Sequence, residues 1–135
     1  AVCTMGQLHV LGGALVSGEA LPHVESYDPS RKKWVKQPPM RFARYGCSAV
    51  AMRGRIYVIG GLEGIGGFAE ESECFDPRTQ EWTTIPAMLR SRPRCGAAAA
   101  AGQIYVFGGG SAFEDDDMTE VSCLNLRSEE WTTLE

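Results

Sequence analysis

The sequence predicts an all-β chain of three four-stranded antiparallel sheets. The prediction rests first on an internal repeat: "GQLHVLGG" at 6–13, "GRIYVIGG" at 54–61 and "GQIYVFGG" at 102–109 share one pattern at a spacing of 48 residues. Later landmarks keep the same phase. Tyr27, Phe75 and Leu124 hold equivalent places, as do Trp34, Trp82 and Trp131, with one extra residue in the third copy before Leu124, an insertion of the kind loops absorb. Each copy also carries short runs rich in β-branched and aromatic residues, bounded by turn residues and almost free of helical periodicity.

The elements follow in the same order in every copy. The middle copy predicts strands over 47–52, 56–60, 72–75 and 81–85. Arg53 and Gly54 join the first two in a tight hairpin, where glycine takes positive φ without strain. "DPRTQ" joins the last two, because Asp76 and Pro77 favour a type I turn. "YDPSRKK" repeats the device in the first copy, whereas "NLRSEE" substitutes Asn125 and lacks the proline. The glycine pairs Gly12 and Gly13, Gly60 and Gly61, and Gly108 and Gly109 let neighbouring backbones approach closely. The chain reads as a single repeat region divided at about 1–39, 40–87 and 88–135.

Repeated four-stranded sheets of this length predict the blades of a β-propeller. A double glycine after "IYVIG" or "IYVFG", then "YDP" or "FDP", then a tryptophan, resembles the kelch repeat over essentially the whole chain. The resemblance implies kelch-type blades with the strand near Ala49 or Ala97 innermost, the tryptophan strand outermost, and three blades as half of a six-bladed propeller. Small side chains in "CSAVAM" and "CGAAAA" suit the crowded axis, and Trp34, Trp82 and Trp131 suit packing between blades. The three copies fall short of three full periods because Ala1 and Val2 align with Ala49 and Val50, leaving the first copy without an equivalent of "RFARYGCS". Two readings fit. Either the chain is a fragment of a longer kelch protein, or two copies meet head to tail as a homodimer that completes a six-bladed ring. Blade charges of +1, −1 and −4 set opposite signs at the two ends.

Composition excludes several classes. At 135 residues, 44% hydrophobic and 22% charged, the chain is one ordinary globular domain, and its longest apolar runs fall well short of the roughly 20 residues of a membrane span. The amino end has no initiator Met, basic leader or cleavage pattern and reads as cut or processed. A net charge of −4 argues against general nucleic-acid binding. Cys3, Cys47, Cys74, Cys95 and Cys123 are odd in number and contain no C-x-x-C, against both a disulfide framework and a zinc site. Reduced, mostly buried thiols place the protein in the cytoplasm, or in the nucleus.

Candidate site residues lie in two loop sets expected on one face: the blade linkers at 37–45 and 85–94, and the loops after the double glycines at 14–22, 62–71 and 110–120. In kelch substrate receptors the comparable face often binds partner peptides, and the resemblance to the kelch repeat implies such a use here. One linker carries Arg41, Phe42, Arg44 and Tyr45, and the other Arg90, Arg92 and Arg94. Guanidiniums grip carboxylates or phosphates and aromatics add stacking surface, so an acidic or phosphorylated peptide is the expected ligand. Arg44 and Arg92 are repeat-equivalent, which leaves open that they tie blades together instead. "EDDDMTE" at 114–120 reads as a solvated loop, without the spacing or glycine of an EF-hand. "GLEGIGGF" at 61–68 reads as a flexible loop, since no Lys-Ser or Lys-Thr follows to make it a phosphate cradle.

Catalysis, metals and cofactors are not expected. His9 takes the strand position of Tyr57 and Tyr105 and reads as half-buried and structural, while His23 has no evident partner. The ligand set of the copper-dependent propeller oxidases is absent. Cys47 with Cys95, and Cys74 with Cys123, are repeat-equivalent and read as structural. The favoured function is a protein–protein interaction module, which the resemblance sets in a ubiquitin-ligase substrate adaptor or an actin-associated scaffold. Its rivals are a fragment of a propeller enzyme or sugar-binding protein whose active residues lie in other blades, and an isolated half-propeller that assembles as a dimer.

Overall fold

The computed structural model describes residues 1–65, 67–110 and 119–134. The first sheet runs β1 (Val2–Thr4), β2 (Gln7–Leu11), β3 (Val24–Asp28), β4 (Lys33–Lys36), each strand antiparallel to the next. β5 (Ser48–Met52) and β6 (Arg55–Ile59) open the second sheet. A two-stranded hairpin, β7 (Leu62–Gly64) and β8 (Gly67–Phe68), intervenes before β9 (Ser72–Asp76) and β10 (Glu81–Ile85) complete it in the order β5-β6-β9-β10. The third sheet is β11 (Gly96–Ala100), β12 (Gln103–Phe107), β13 (Val121–Asn125), β14 (Glu130–Leu134). The described sheets are all antiparallel β, and the strands of the middle copy begin and end within one residue of the expected bounds.

"GLEGIGGF" departs from the expected loop by forming the β7–β8 hairpin, which pairs Leu62 with Phe68 and Gly64 with Gly67. The physical reason is an extra edge. Leu62 exchanges both backbone hydrogen bonds with Tyr45 of the preceding linker, 2.8 and 3.0 Å, so this segment has a partner to pair against on its other side. The acidic run at 114–118 lies outside the described residues.

The inner hairpins share one turn. Met5–Gly6, Arg53–Gly54 and Ala101–Gly102 all have positive φ at both central residues, the type I′ geometry whose twist matches that of the flanking strands. The outer hairpins share another. Asp28 Oδ1 accepts from Ser30 N (2.9 Å), Asp76 Oδ1 from Arg78 N (3.0 Å) and Asn125 Oδ1 from Arg127 N (2.8 Å), so asparagine replaces aspartate without loss of the turn.

Side chains of successive strand residues point to opposite faces, and β6 uses both. Ile56 and Val58 join Val24, Met40 and Phe75 in a core between the first and second blades. Tyr57 and Ile59 join Val50, Cys74, Ile104, Val106 and Leu124 between the second and third. Burying each large apolar side chain stabilises the chain by about 1.5–3 kcal/mol, so these two interfaces hold the blades together. β12 covers only one face, and its burial alternates accordingly: Ile104 and Val106 are buried while Phe107 is exposed.

β5 lies beside both β1 and β11, which makes these the inner strands. On the outer strands, Trp82 donates its indole N–H to Pro38 O (2.9 Å) and Trp131 to Pro86 O (2.8 Å), fastening each blade to the linker that precedes it. Trp34, their equivalent, is exposed and packs on Tyr27 with ring centroids 5.2 Å apart. Among the described residues no helix is long and apolar enough to cross a membrane.

Candidate functional site

The linkers and the loops after the double glycines interleave on one face. Gly13 N donates to Arg44 O (3.0 Å), Arg44 N to Leu21 O (3.2 Å), Gly110 N to Pro93 O (3.2 Å), and Ser91 Oγ to Ala69 O (3.2 Å). Gly12 and Gly60 permit this approach. At either position a Cβ would lie closer than 3.0 Å to the backbone oxygen of Arg44 or Arg92, and both have positive φ.

Of the seven arginine and aromatic candidates, two arginines are enclosed. Arg44 is buried, donating Nη1–H to Gly60 O (3.0 Å) and Glu71 O (2.7 Å) and Nη2–H to Glu73 Oε2 (2.9 Å). Its backbone pairs with the first blade's loop while its side chain pairs with the second blade, so one residue ties two blades. Glu73, itself 0% exposed, also accepts from Arg41 N (2.8 Å) and Phe42 N (3.4 Å), which holds the whole linker turn. Arg92 is buried at the equivalent place and donates Nη1–H to Glu120 O (2.5 Å). Ser122 stands where Glu73 stands in the second blade, and the carboxylate nearest Arg92 is that of half-exposed Glu120, 3.6 Å away.

The remaining candidates reach solvent. Arg41, Arg90 and Arg94 are exposed and form no ion pair among the described residues. Arg41 Nη1–H reaches Thr84 Oγ1 at 3.4 Å, and Arg94 N donates to Gly46 O (2.7 Å), which sets Arg94 beside the opening of the inner strands. Phe42 and Tyr45 are half-buried, with the Tyr45 hydroxyl 3.4 Å from Gly64 O. Sequence reasoning missed four apolar residues on this face: Leu15 and Val16 in the first loop, Ile65 in the second (94% exposed) and Leu89 in the linker (79% exposed). A Cβ at Gly18 would lie 3.6 Å from Ile65 Cγ1, so the first two loops approach each other at their tips. The available signal was apolar side chains inside glycine-flanked loops, off the repeat's phase.

The other singled-out groups are enclosed or unpartnered. His9 is fully buried rather than half-buried, and burial lowers its pKa from 6.5. Its place on β2 is that of Tyr57 on β6, which faces the next blade, so His9 faces the second blade. His23 is exposed on the rim of the first blade. All five cysteines are free, and burial pushes the thiols of Cys47, Cys74, Cys95 and Cys123 up, which keeps them neutral. Among the described residues no three His, Cys, Asp or Glu side chains converge to hold a metal ion.

A family model for the KLHDC2/KLHL20/DRC7 Kelch-repeats domain matches residues 1–135. No curated protein gives a significant match. Kelch-repeat domains are in general protein-interaction modules and typically non-enzymatic. With a family match over its full length and blades, turns and linkers of the corresponding pattern, the chain belongs to the kelch-repeat family.

Proposed function

We propose that the interleaved loop face binds an acidic or phosphorylated segment of a partner protein. The observation that carries this reading is the division among the arginines. Arg44 and Arg92 are spent inside the scaffold, whereas Arg41, Arg90 and Arg94 stand exposed without an ion-pair partner among the described residues. Guanidiniums in that state engage carboxylates or phosphates bidentately. Tyr45 and Phe42 add aromatic surface, and Ile65 and Leu89 offer apolar contacts beside the charge. Substrate recognition for a ubiquitin ligase and attachment within an actin scaffold are the two cytoplasmic settings in which such a face would serve.

A peptide array tests it. Labelled protein washed over acidic, phosphorylated, neutral and basic sequences should be retained on the first two sets, and more weakly as salt rises. Equal retention on all four sets, or preference for the basic set, contradicts the reading.

A second reading concerns assembly. Leu8, Val10, Tyr27 and Trp34 are the repeat equivalents of Ile56, Val58, Phe75 and Trp82, which the neighbouring blade covers, yet Val10 and Trp34 are exposed. At the far side Phe107 and Leu134 are exposed as well. Two copies joined at these faces would repeat a contact already made twice within the chain. Light scattering should then report a dimer, and a monomer at micromolar concentration rules it out.

A further inference from the structure

The two clefts between blades are built from equivalent positions but are not closed alike. Between the first and second blades, Gln37 acts as a bridge: its Nε2–H donates to Ser26 Oγ (2.9 Å), and its Oε1 accepts from Gln80 Nε2 (3.1 Å). Between the second and third blades the same three positions hold Ile85, Cys74 and Glu129. Isoleucine offers no hydrogen-bonding group, so no bridge forms there. A cleft of about 280 Å³ remains at the outer rim, lined by Arg55, Tyr57, Cys74, Thr83, Ile85 and Glu129 among others. A smaller lobe that shares Arg55, Cys74 and Thr83 extends it toward Asp76 and Glu81.

The chemistry of the cleft limits its occupant. Where Gln80 is a donor to the bridge, Glu129 is only an acceptor, so a group replacing the bridge must donate hydrogen bonds at that end. Arg55 is already engaged, with Nε 3.2 Å from Asp76 Oδ2. Glu129 forms no ion pair among the described residues, and Glu81 adds a second carboxylate in the smaller lobe. The wall contributed by Ile85, Pro86, Leu124 and Leu126 is apolar. Such a site rewards a flat or slender apolar body with a cationic, donor-rich head.

We propose that the cleft between the second and third blades binds a small organic cation, an amine or amidine whose head meets Glu129 and whose body lies against Ile85, Pro86 and Leu124. This site is separate from the loop face, and neither reading depends on the other.

The probe is benzamidinium, followed by amide chemical shifts of the full chain, with neutral benzamide as the isostere. Benzamidinium should move the resonances of Cys74, Ile85, Leu124 and Glu129, and benzamide should bind about fivefold more weakly for lack of the charge pair. Glu129→Gln, an exposed turn position, should weaken benzamidinium by a similar factor of about five. Ile85→Gln, which installs the bridging residue of the other cleft, should reduce binding further while leaving the fold's dispersion of resonances intact. Equal binding of the two probes, an unchanged affinity in Glu129→Gln, or shifts confined to other residues would overturn the proposal, as would the absence of any saturable shift.

Discussion

Arg44 and Glu73 form a wholly buried ion pair, Nη2 to Oε2 at 2.9 Å with both side chains 0% exposed, and the arginine's own backbone is bonded to the neighbouring blade. A pair of this kind is costly to break from one side, because the remaining charge stays buried and uncompensated. Glu73→Ala should therefore destabilise the chain by about 3–5 kcal/mol in denaturant unfolding. Glu120→Ala, which removes a half-exposed carboxylate 3.6 Å from buried Arg92 and leaves the bond to the Glu120 carbonyl in place, should cost less than Glu73→Ala. Similar losses in the two variants would mean that Glu73 has no special place in the linker.

The double glycines give a matched comparison. Gly60 and Gly108 have nearly the same φ, +66° and +65°, but a Cβ at Gly60 meets Arg92 O, whereas a Cβ at Gly108 meets nothing within 4 Å among the described residues. Gly108→Ala should cost only the left-handed backbone penalty of about 1–2 kcal/mol. Gly60→Ala adds a steric clash with backbone, worth about 1–3 kcal/mol more. Equal destabilisation in thermal unfolding would show that the linker does not press on Gly60.

His9 predicts a pH dependence. Burial lowers its folded pKa below the unfolded value of 6.5, so the unfolded chain takes up a proton first as pH falls. Stability is full above the unfolded pKa and declines as the pH drops from about 7 toward 5. The carboxyls of Asp28 and Asp76 are held below their ordinary range, the first chiefly by the Ser30 hydroxyl and the second by the Arg78 N–H, so they titrate at lower pH than this window. His9→Tyr, which installs the residue of the other two blades, should flatten the pH 5–7 slope measured by urea unfolding. A slope that persists in the variant assigns it to other groups.

Strands and turns were legible because they are local. Alternation in "RIYVI", a glycine able to take positive φ at 54, and a side-chain acceptor at Asp28, Asp76 or Asn125 each act within a few residues. The roles of Arg44 and Arg92 were not legible, since both sit at the same repeat position and their burial depends on strands and loops about 30 residues further along the chain. Ser122 in place of Glu73 breaks the repeat at the point that matters. The apolar tips Val16 and Ile65 escaped for the opposite reason: they belong to no period and become visible only when the loops meet.

The division between scaffold arginines and exposed arginines is tested most directly by titrating an acidic peptide retained on the array against the native chain and the Arg41→Ala, Arg90→Ala, Arg94→Ala triple variant. The triple variant should keep the native melting temperature and bind about tenfold or more weakly, the loss of charge-assisted contacts at three exposed positions. An unchanged dissociation constant in a folded triple variant would contradict binding at this face.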